Sequence, residues 1–226
     1  MLVQDIMQSA VVTTDAHVRL ADAYQTMIDH AVRHLPVLDD GALVGVITDR
    51  DLRDATSDLH PSPIQAHAPV REAMSADPIT AGPLDPVEEA ARLLRSKRIG
   101  CLPVMEGADL VGIVTVTDLL DAVTRLTGLS KPGGRVAVSL PDEPGQLARL
   151  TGRVAEEGAD IRSVLSYYED ETRSGPEREP DADEEPPSRL RIILRLDTIN
   201  VRPIAASLRA EGFDVVWPVE KPGSDT

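Results

Sequence analysis

Two short patterns in this 226-residue chain combine side chains suited to chemistry, Thr48-x-x-Asp51 and Thr115-x-x-Asp118. Each follows an apolar run that begins with glycine, Gly45-Val46-Ile47 and Gly112-Ile113-Val114, and each leads into a helical pattern. A hydroxyl and a carboxylate three residues apart at a strand-to-helix junction have two readings. Structurally, they form a capping-box-like pair, with Thr as N-cap and the acid in the first turn, where the helix dipole favours it. Chemically, the free N–H groups of a helix N-terminus attract an anion such as phosphate, and a neighbouring carboxylate accepts two hydrogen bonds from a ribose diol.

Other chemistry finds less material. His17, His30, His34, His60 and His67 show no metal-ligand spacing with Cys101, the single cysteine. His30 and His34 would share a helix face only if the helix ran to Leu35, which Pro36 opposes. Cys101 adjoins an apolar strand and reads as a small core residue. There is no Ser–His–Asp signature, Walker loop or zinc cluster.

The elements that must position these residues come from a repeat. A shift of 67 residues maps Val3 onto Val70, Met7 onto Met74, Thr13 onto Thr80, Pro36 onto Pro103, Gly45 onto Gly112 and Asp51 onto Asp118. An ungapped repeat of this length means two copies of one small unit. In the first, Val11 to Thr14 reads as a strand start and Asp15 as an N-cap. Val18, Leu20, Ala21, Tyr24, Met27 and Ile28 follow helical spacing. Leu35 to Leu38 and Leu43 to Ile47 read as strands around the turn Asp39-Asp40-Gly41, and a helix starts near Asp51. The order is β-α-β-β-α. Residues 57–69, with three prolines, read as a linker. The second copy repeats this: strand Ile79-Thr80, helix from Pro86 to Ser96, strands at Leu102–Val104 and Leu110–Val114, then a helix from about Thr117 to Leu126.

After Ser130-Lys131-Pro132-Gly133-Gly134 the repeat stops. Strand 135–140, a helix carrying Leu147, Leu150, Val154 and Ala155 on one face, strand 161–168, strand 189–196, helix 203–211 and strand 213–219 follow in a β-α-β-β-α-β, ferredoxin-like order. Residues 169–188 hold nine acids and two arginines, and read as a mobile acidic hairpin loop rather than a functional patch.

Composition limits the function classes. A net charge of −15 argues against nucleic acid or an anionic membrane as main partner, and 2% aromatic residues leave little for base stacking. The N-terminus lacks a basic and apolar leader, no apolar run is long enough to span a membrane, and one cysteine fits a reducing compartment. A cytoplasmic protein is the expectation.

Leu35-Pro36-Val37 with Gly45-x-x-Thr48-x-x-Asp51, and Leu102-Pro103-Val104 with Gly112-x-x-Thr115-x-x-Asp118, resemble a pair of cystathionine-β-synthase (CBS) domains, a Bateman module, over 1–67 and 68–129. Val136-x-Val138, Asp142-x-Pro144-Gly145-x-Leu147 and Gly158-x-Asp160-Ile161 resemble an ACT domain over 135–220. The order of modules resembles the acetoin utilisation protein family. The CBS resemblance implies adenosine-nucleotide binding by Thr48, Asp51, Thr115 and Asp118. Thr13, Thr80, His34, Leu35, Pro36, Cys101, Leu102 and Pro103 would help hold base and sugar. Arg50 and Arg53 beside the first carboxylate supply phosphate partners; the second copy has Thr117 and Leu120 there, with Lys97 and Arg98 as substitutes. Asp49 would oppose a polyphosphate, which favours AMP or ADP over ATP. The ACT resemblance implies a carboxylate site at a subunit interface formed by Asp142, Pro144 and Gly145. Asp160 stands where ligand-binding relatives commonly carry Asn, and its charge repels a carboxylate but receives an ammonium. The expectation is a non-catalytic regulatory homodimer that needs no cofactor or metal. A nucleotide hydrolase using Asp51 or Asp118 and a ligand-free scaffold are the alternatives.

Overall fold

The structure is a computed structural model that describes residues 1–168 and 189–219; the expected acidic loop at 169–188 lies outside the described residues. Its contacts divide into two compact units, residues 1–122 and 123–226. No helix among the described residues is long and apolar enough to cross a membrane.

The first unit contains β1 (Thr14–Asp15), α1 (Leu20–Asp29), β2 (His34–Asp39), β3 (Ala42–Thr48) and α2 (Asp49–Thr56). It continues with β4 (Ser75–Ala76), α3 (Val87–Lys97), β5 (Cys101–Glu106), β6 (Asp109–Thr115) and the start of α4 (Val116–Leu126). The two hairpins are copies down to their register. Val37 faces Gly45 in β2–β3 and Val104 faces Gly112 in β5–β6, with an irregularity after each of these pairs. Asp40 and Gly41, both at positive φ (49° and 84°), supply the left-handed pair that a tight hairpin turn requires.

Each copy has its own core. Leu20, Ala23, Met27, Leu35, Val37, Ile47 and Leu52 form one. Ala90, Leu94, Leu102, Val104, Val114 and Ala122 form the other. Between them Val46, its repeat counterpart Ile113, and Cys101 make a small cluster with Val11 packed on it.

The copies also exchange their leading segments. Ser75 and Ala76 of β4 pair with Val46 and Gly45 of β3, and Gln8 bridges Ile113 of β6. Two glycines make room for this exchange. A Cβ on Gly45 would stand 2.6 Å from Met74 Sδ, and one on Gly112 would stand 2.5 Å from Met7 Sδ. Met7 and Met74 are themselves repeat counterparts, so the crossing is reciprocal.

The exchange corrects two strand expectations. The strand in the first copy is Thr14–Asp15, paired parallel with β2, and excludes Val11–Thr13; its counterpart in the second copy is a single parallel bridge from Ala81 to Val104, just beyond Ile79–Thr80. The β-branched run is divided, with Val11 on the cluster between the copies and Val12 on the first core. Asp15 is not the N-cap of α1; its carboxylate accepts from the His17 N–H at 2.8 Å. The helix begins at Leu20, and its first amides donate to the linker carbonyls of Ala68 (2.9 Å) and Ala66 (3.0 Å). The linker is therefore docked rather than free, with Ile64 and Ala68 on the first core. On α1 the buried face is Leu20, Ala23 and Met27, while Tyr24 and Ile28 are exposed.

The second unit contains β7 (Gly134–Pro141), α5 (Gln146–Glu156), β8 (Ile161–Tyr168), β9 (Arg189–Leu196), α6 (Arg202–Ala210) and β10 (Asp214–Trp217). Its sheet runs β10-β7-β9-β8 with antiparallel neighbours throughout, the ferredoxin-like order. Alternate residues Val136, Val138, Leu140, Ile192, Leu194 and Leu196 pack with Leu150, Val154, Ile204 and Leu208 from the helices. Leu150 and Val154 form the buried face of α5, whereas Leu147 and Ala155 are exposed.

Candidate functional site

Each corner is a complete capping box. Thr48 has extended backbone (φ −114°, ψ 162°), so its hydroxyl reaches the first turn of α2. Thr48 Oγ1 accepts from the Asp51 N–H at 3.1 Å, while Asp51 Oδ2 accepts from the Thr48 N–H at 2.9 Å and from its hydroxyl at 2.8 Å. In the second copy Asp118 Oδ2 accepts from the Thr115 N–H and hydroxyl, both at 2.7 Å, and Thr115 Oγ1 accepts from the Asp118 N–H at 3.4 Å. One carboxylate oxygen in each corner is thus committed to the backbone.

A cavity of about 630 Å³ opens on the first corner. Of the residues singled out in the sequence, His34, Thr48, Asp49, Arg50, Asp51, Arg98 and Cys101 line it. The segment Ser75–Ile79, Arg33, Val46, Ile99 and Gly100 complete its wall. Leu35 and Leu102 are fully buried in the two cores, because the strand pleat turns them away from their neighbours His34 and Cys101. Thr13, Pro36, Thr80 and Pro103 lie outside the lining, and Thr115 and Asp118 form the other corner. The β2 and β5 starts meet in this cavity so closely that a Cβ on Gly100 would overlap the His34 imidazole. The signal for the missed segment, Ser75–Ile79, was present in the paired Met7/Met74 and Gly45/Gly112, which mark the crossing.

The charges are sorted by the fold in ways the spacing did not show. Arg50 lines the cavity, whereas Arg53 reaches back to Asp49, its guanidinium donating to the carboxylate at 2.9 Å and to the carbonyl at 3.1 Å. Arg98, expected to compensate in the second copy, lines the cavity of the first. Three arginines (Arg33, Arg50, Arg98) and three aspartates (Asp49, Asp51, Asp77) face the space, a formal balance. Burial pushes the His34 imidazole below its ordinary value; Asp49 and Asp51 oppose this and Arg33 adds to it. Burial, with Asp51 adding, pushes the Cys101 thiol up to about 12, so it stays an uncharged wall residue.

In the second unit Gly145 is the N-cap of α5 at φ 90°, a left-handed position that favours glycine. Asp142 and Pro144 beside it are exposed, as is Asp160, whose backbone N–H donates to Asp197 Oδ1 at 3.1 Å. Among the described residues no group of three or more His, Cys, Asp or Glu is placed to hold a metal ion.

The CBS domain model matches residues 3–58 and 70–125. A CBS domain-containing protein of Dictyostelium discoideum is 36% identical over 135 residues, covering 55% of this chain and 92% of that protein. The CBS domain-containing protein YhcV of Bacillus subtilis is 32% identical over 117 residues, covering 52% of this chain and 81% of that protein. Among solved structures, CBSX2 in complex with AMP is 25% identical with a TM-score of 0.50, covering 55% of this chain and 97% of that one. With two tandem copies that share register, capping boxes and crossing glycines, this chain belongs to the CBS domain family.

Proposed function

We propose that the chain is a non-catalytic regulatory protein that senses an adenine nucleotide, AMP foremost, in the cavity of the first corner. The observation that carries this reading is the juxtaposition of Thr48 and Asp51 with Arg50, Arg98 and a half-buried, uncharged His34 in one 630 Å³ space. Asp51 Oδ1 meets no hydrogen-bond donor among the described residues and is available to a ribose diol. Arg50 suits a phosphate, while the Asp49 and Asp51 amides of α2 already donate to the Arg33 carbonyl and to Thr48 Oγ1. The apolar wall of Val46, Ile79, Ile99 and Cys101 suits a base. The balance of three arginines against three aspartates favours one phosphate group over three. The AMP complex of the similar CBSX2 supports the same ligand class.

The ferredoxin-like unit acts as an ACT module that assembles the chain, with Asp142, Pro144, Gly145 and Asp160 as its metabolite-facing residues. The resemblance of the module order to the acetoin utilisation family supports a link to acetoin metabolism. A homodimer is further supported by exposed apolar residues at helical spacing, Tyr24 and Ile28 on α1 and Val116, Leu120 and Val123 on α4. Ligand acts by population shift, favouring the arrangement of modules it binds better. Isothermal titration with AMP tests the reading. Binding in the micromolar range, about −8 kcal/mol, is expected. Absence of heat with AMP, ADP, ATP and S-adenosylmethionine overturns it, and turnover of AMP or ATP would favour a nucleotide hydrolase instead.

A further inference from the structure

The two corners differ at one repeat position on the crossing segments. Ser75 lines the first cavity, and its counterpart 67 residues earlier is Gln8. The Gln8 backbone is fixed against β6, its N–H donating to the Ile113 carbonyl at 2.9 Å and its carbonyl accepting from the Ile113 N–H at 3.0 Å. From that anchor its side-chain amide reaches Asp118 and donates to Oδ1 at 3.2 Å. Asp118 Oδ2 is already held by Thr115. Both oxygens of the second carboxylate are therefore engaged, whereas Asp51 is engaged through Oδ2 alone among the described residues. Serine is too short to do at Asp51 what glutamine does at Asp118.

We infer that Gln8 is the residue that makes the pair a one-ligand sensor: it occupies the carboxylate oxygen that a ribose diol would need at Asp118. The inference rests on the nucleotide reading of the first corner and goes beyond it by setting the stoichiometry and naming its determinant. A diol entering the second corner must displace an amide that already donates to a charged acceptor, a penalty of about tenfold in affinity. Position 117 adds to the difference, since threonine stands there where the first copy has the cavity-lining Arg50, so an opened second corner takes the nucleoside better than the nucleotide.

The test is calorimetric stoichiometry with adenosine and with AMP on the full chain, with thermal melting to verify folding. Wild type takes one equivalent per chain. Gln8→Ser, with Gln8→Ala as a second variant, adds a second adenosine equivalent that is lost again on Asp118→Ala. The reciprocal Ser75→Gln weakens AMP at the first corner about tenfold. Two equivalents in wild type, or one equivalent in folded Gln8→Ser together with unchanged AMP binding in Ser75→Gln, overturns the inference and leaves the nucleotide reading intact. Absence of adenosine and AMP binding in every variant overturns both.

Discussion

Thr48–Asp51 and Thr115–Asp118 make the same three capping hydrogen bonds, yet Gln8 bonds the second carboxylate while its counterpart Ser75 only lines the cavity of the first. The copies kept everything that ends a strand and starts a helix, because that geometry belongs to the backbone and any change in it costs about 1 kcal/mol or more of stability. They diverged in the side chains around it, from the crossing segments (Ser75 and Gln8) and from the corners themselves (Arg50 and Thr117). His34 and Cys101 are likewise counterparts, one titratable and one inert, and both face the same cavity. A repeat can thus hold its fold constant while the exchanged segments make its two halves unequal.

The sharpest way to break this comparison is to remove each carboxylate in turn. Asp51→Ala weakens AMP binding about 100-fold, from the loss of hydrogen bonds to a charged acceptor worth about 3 kcal/mol, while Asp118→Ala changes it less than about twofold. Both variants lose about 1 kcal/mol of folding stability with the cap, so equal melting shifts beside unequal titrations are the expected pattern. Equal losses of affinity would erase the distinction between the corners.

The crossing glycines come next. Gly45→Ala sets a Cβ against Met74 Sδ and also against the Ser75 carbonyl oxygen at 2.9 Å, which is backbone and moves only with β4. Gly112→Ala meets Met7 side-chain atoms alone. Chemical denaturation should show a loss of about 2–3 kcal/mol for the first and about 1 kcal/mol for the second. The reverse order would mean the second crossing is the tighter one.

Arg50 and Arg53 separate a cavity cation from a helix-surface one. Arg50→Ala lowers AMP affinity about tenfold and leaves adenosine affinity unchanged, whereas Arg53→Ala, whose guanidinium is held by Asp49, alters neither beyond about twofold. Fluorescence-competition titrations of both ligands read this out. An equal effect of the two variants would assign the phosphate to the α2 surface.

The smallest expected effect is on pH dependence. His34 has a folded pKa below its ordinary value of 6.5, so the folded state resists the proton that the unfolded chain accepts. Its contribution therefore favours the fold above pH 6.5 and is lost as pH falls from there towards the folded value. Wild type should lose stability faster than His34→Gln over that window and match its slope near pH 8, measured as the difference between the two melting curves. The second copy, with Cys101 in the equivalent place, contributes no such slope.

Local rules determined much of this protein from sequence alone. The 67-residue repeat, both hairpins, both capping boxes and the β-α-β-β-α-β order after Gly134 were legible, since each rests on residues within a few positions of one another or on the copy agreeing with itself. Helix faces were less so: α1 is apolar on two sides, and spacing does not say that Leu20, Ala23 and Met27 face the core while Tyr24 and Ile28 face out. Only the tertiary structure decided which segment completes which corner. Gln8 and Asp118 stand 110 residues apart, and no helical or strand period connects them. They meet because two equal hairpins, packed on Val46 and Ile113, each bury their last strand under the other's leading segment.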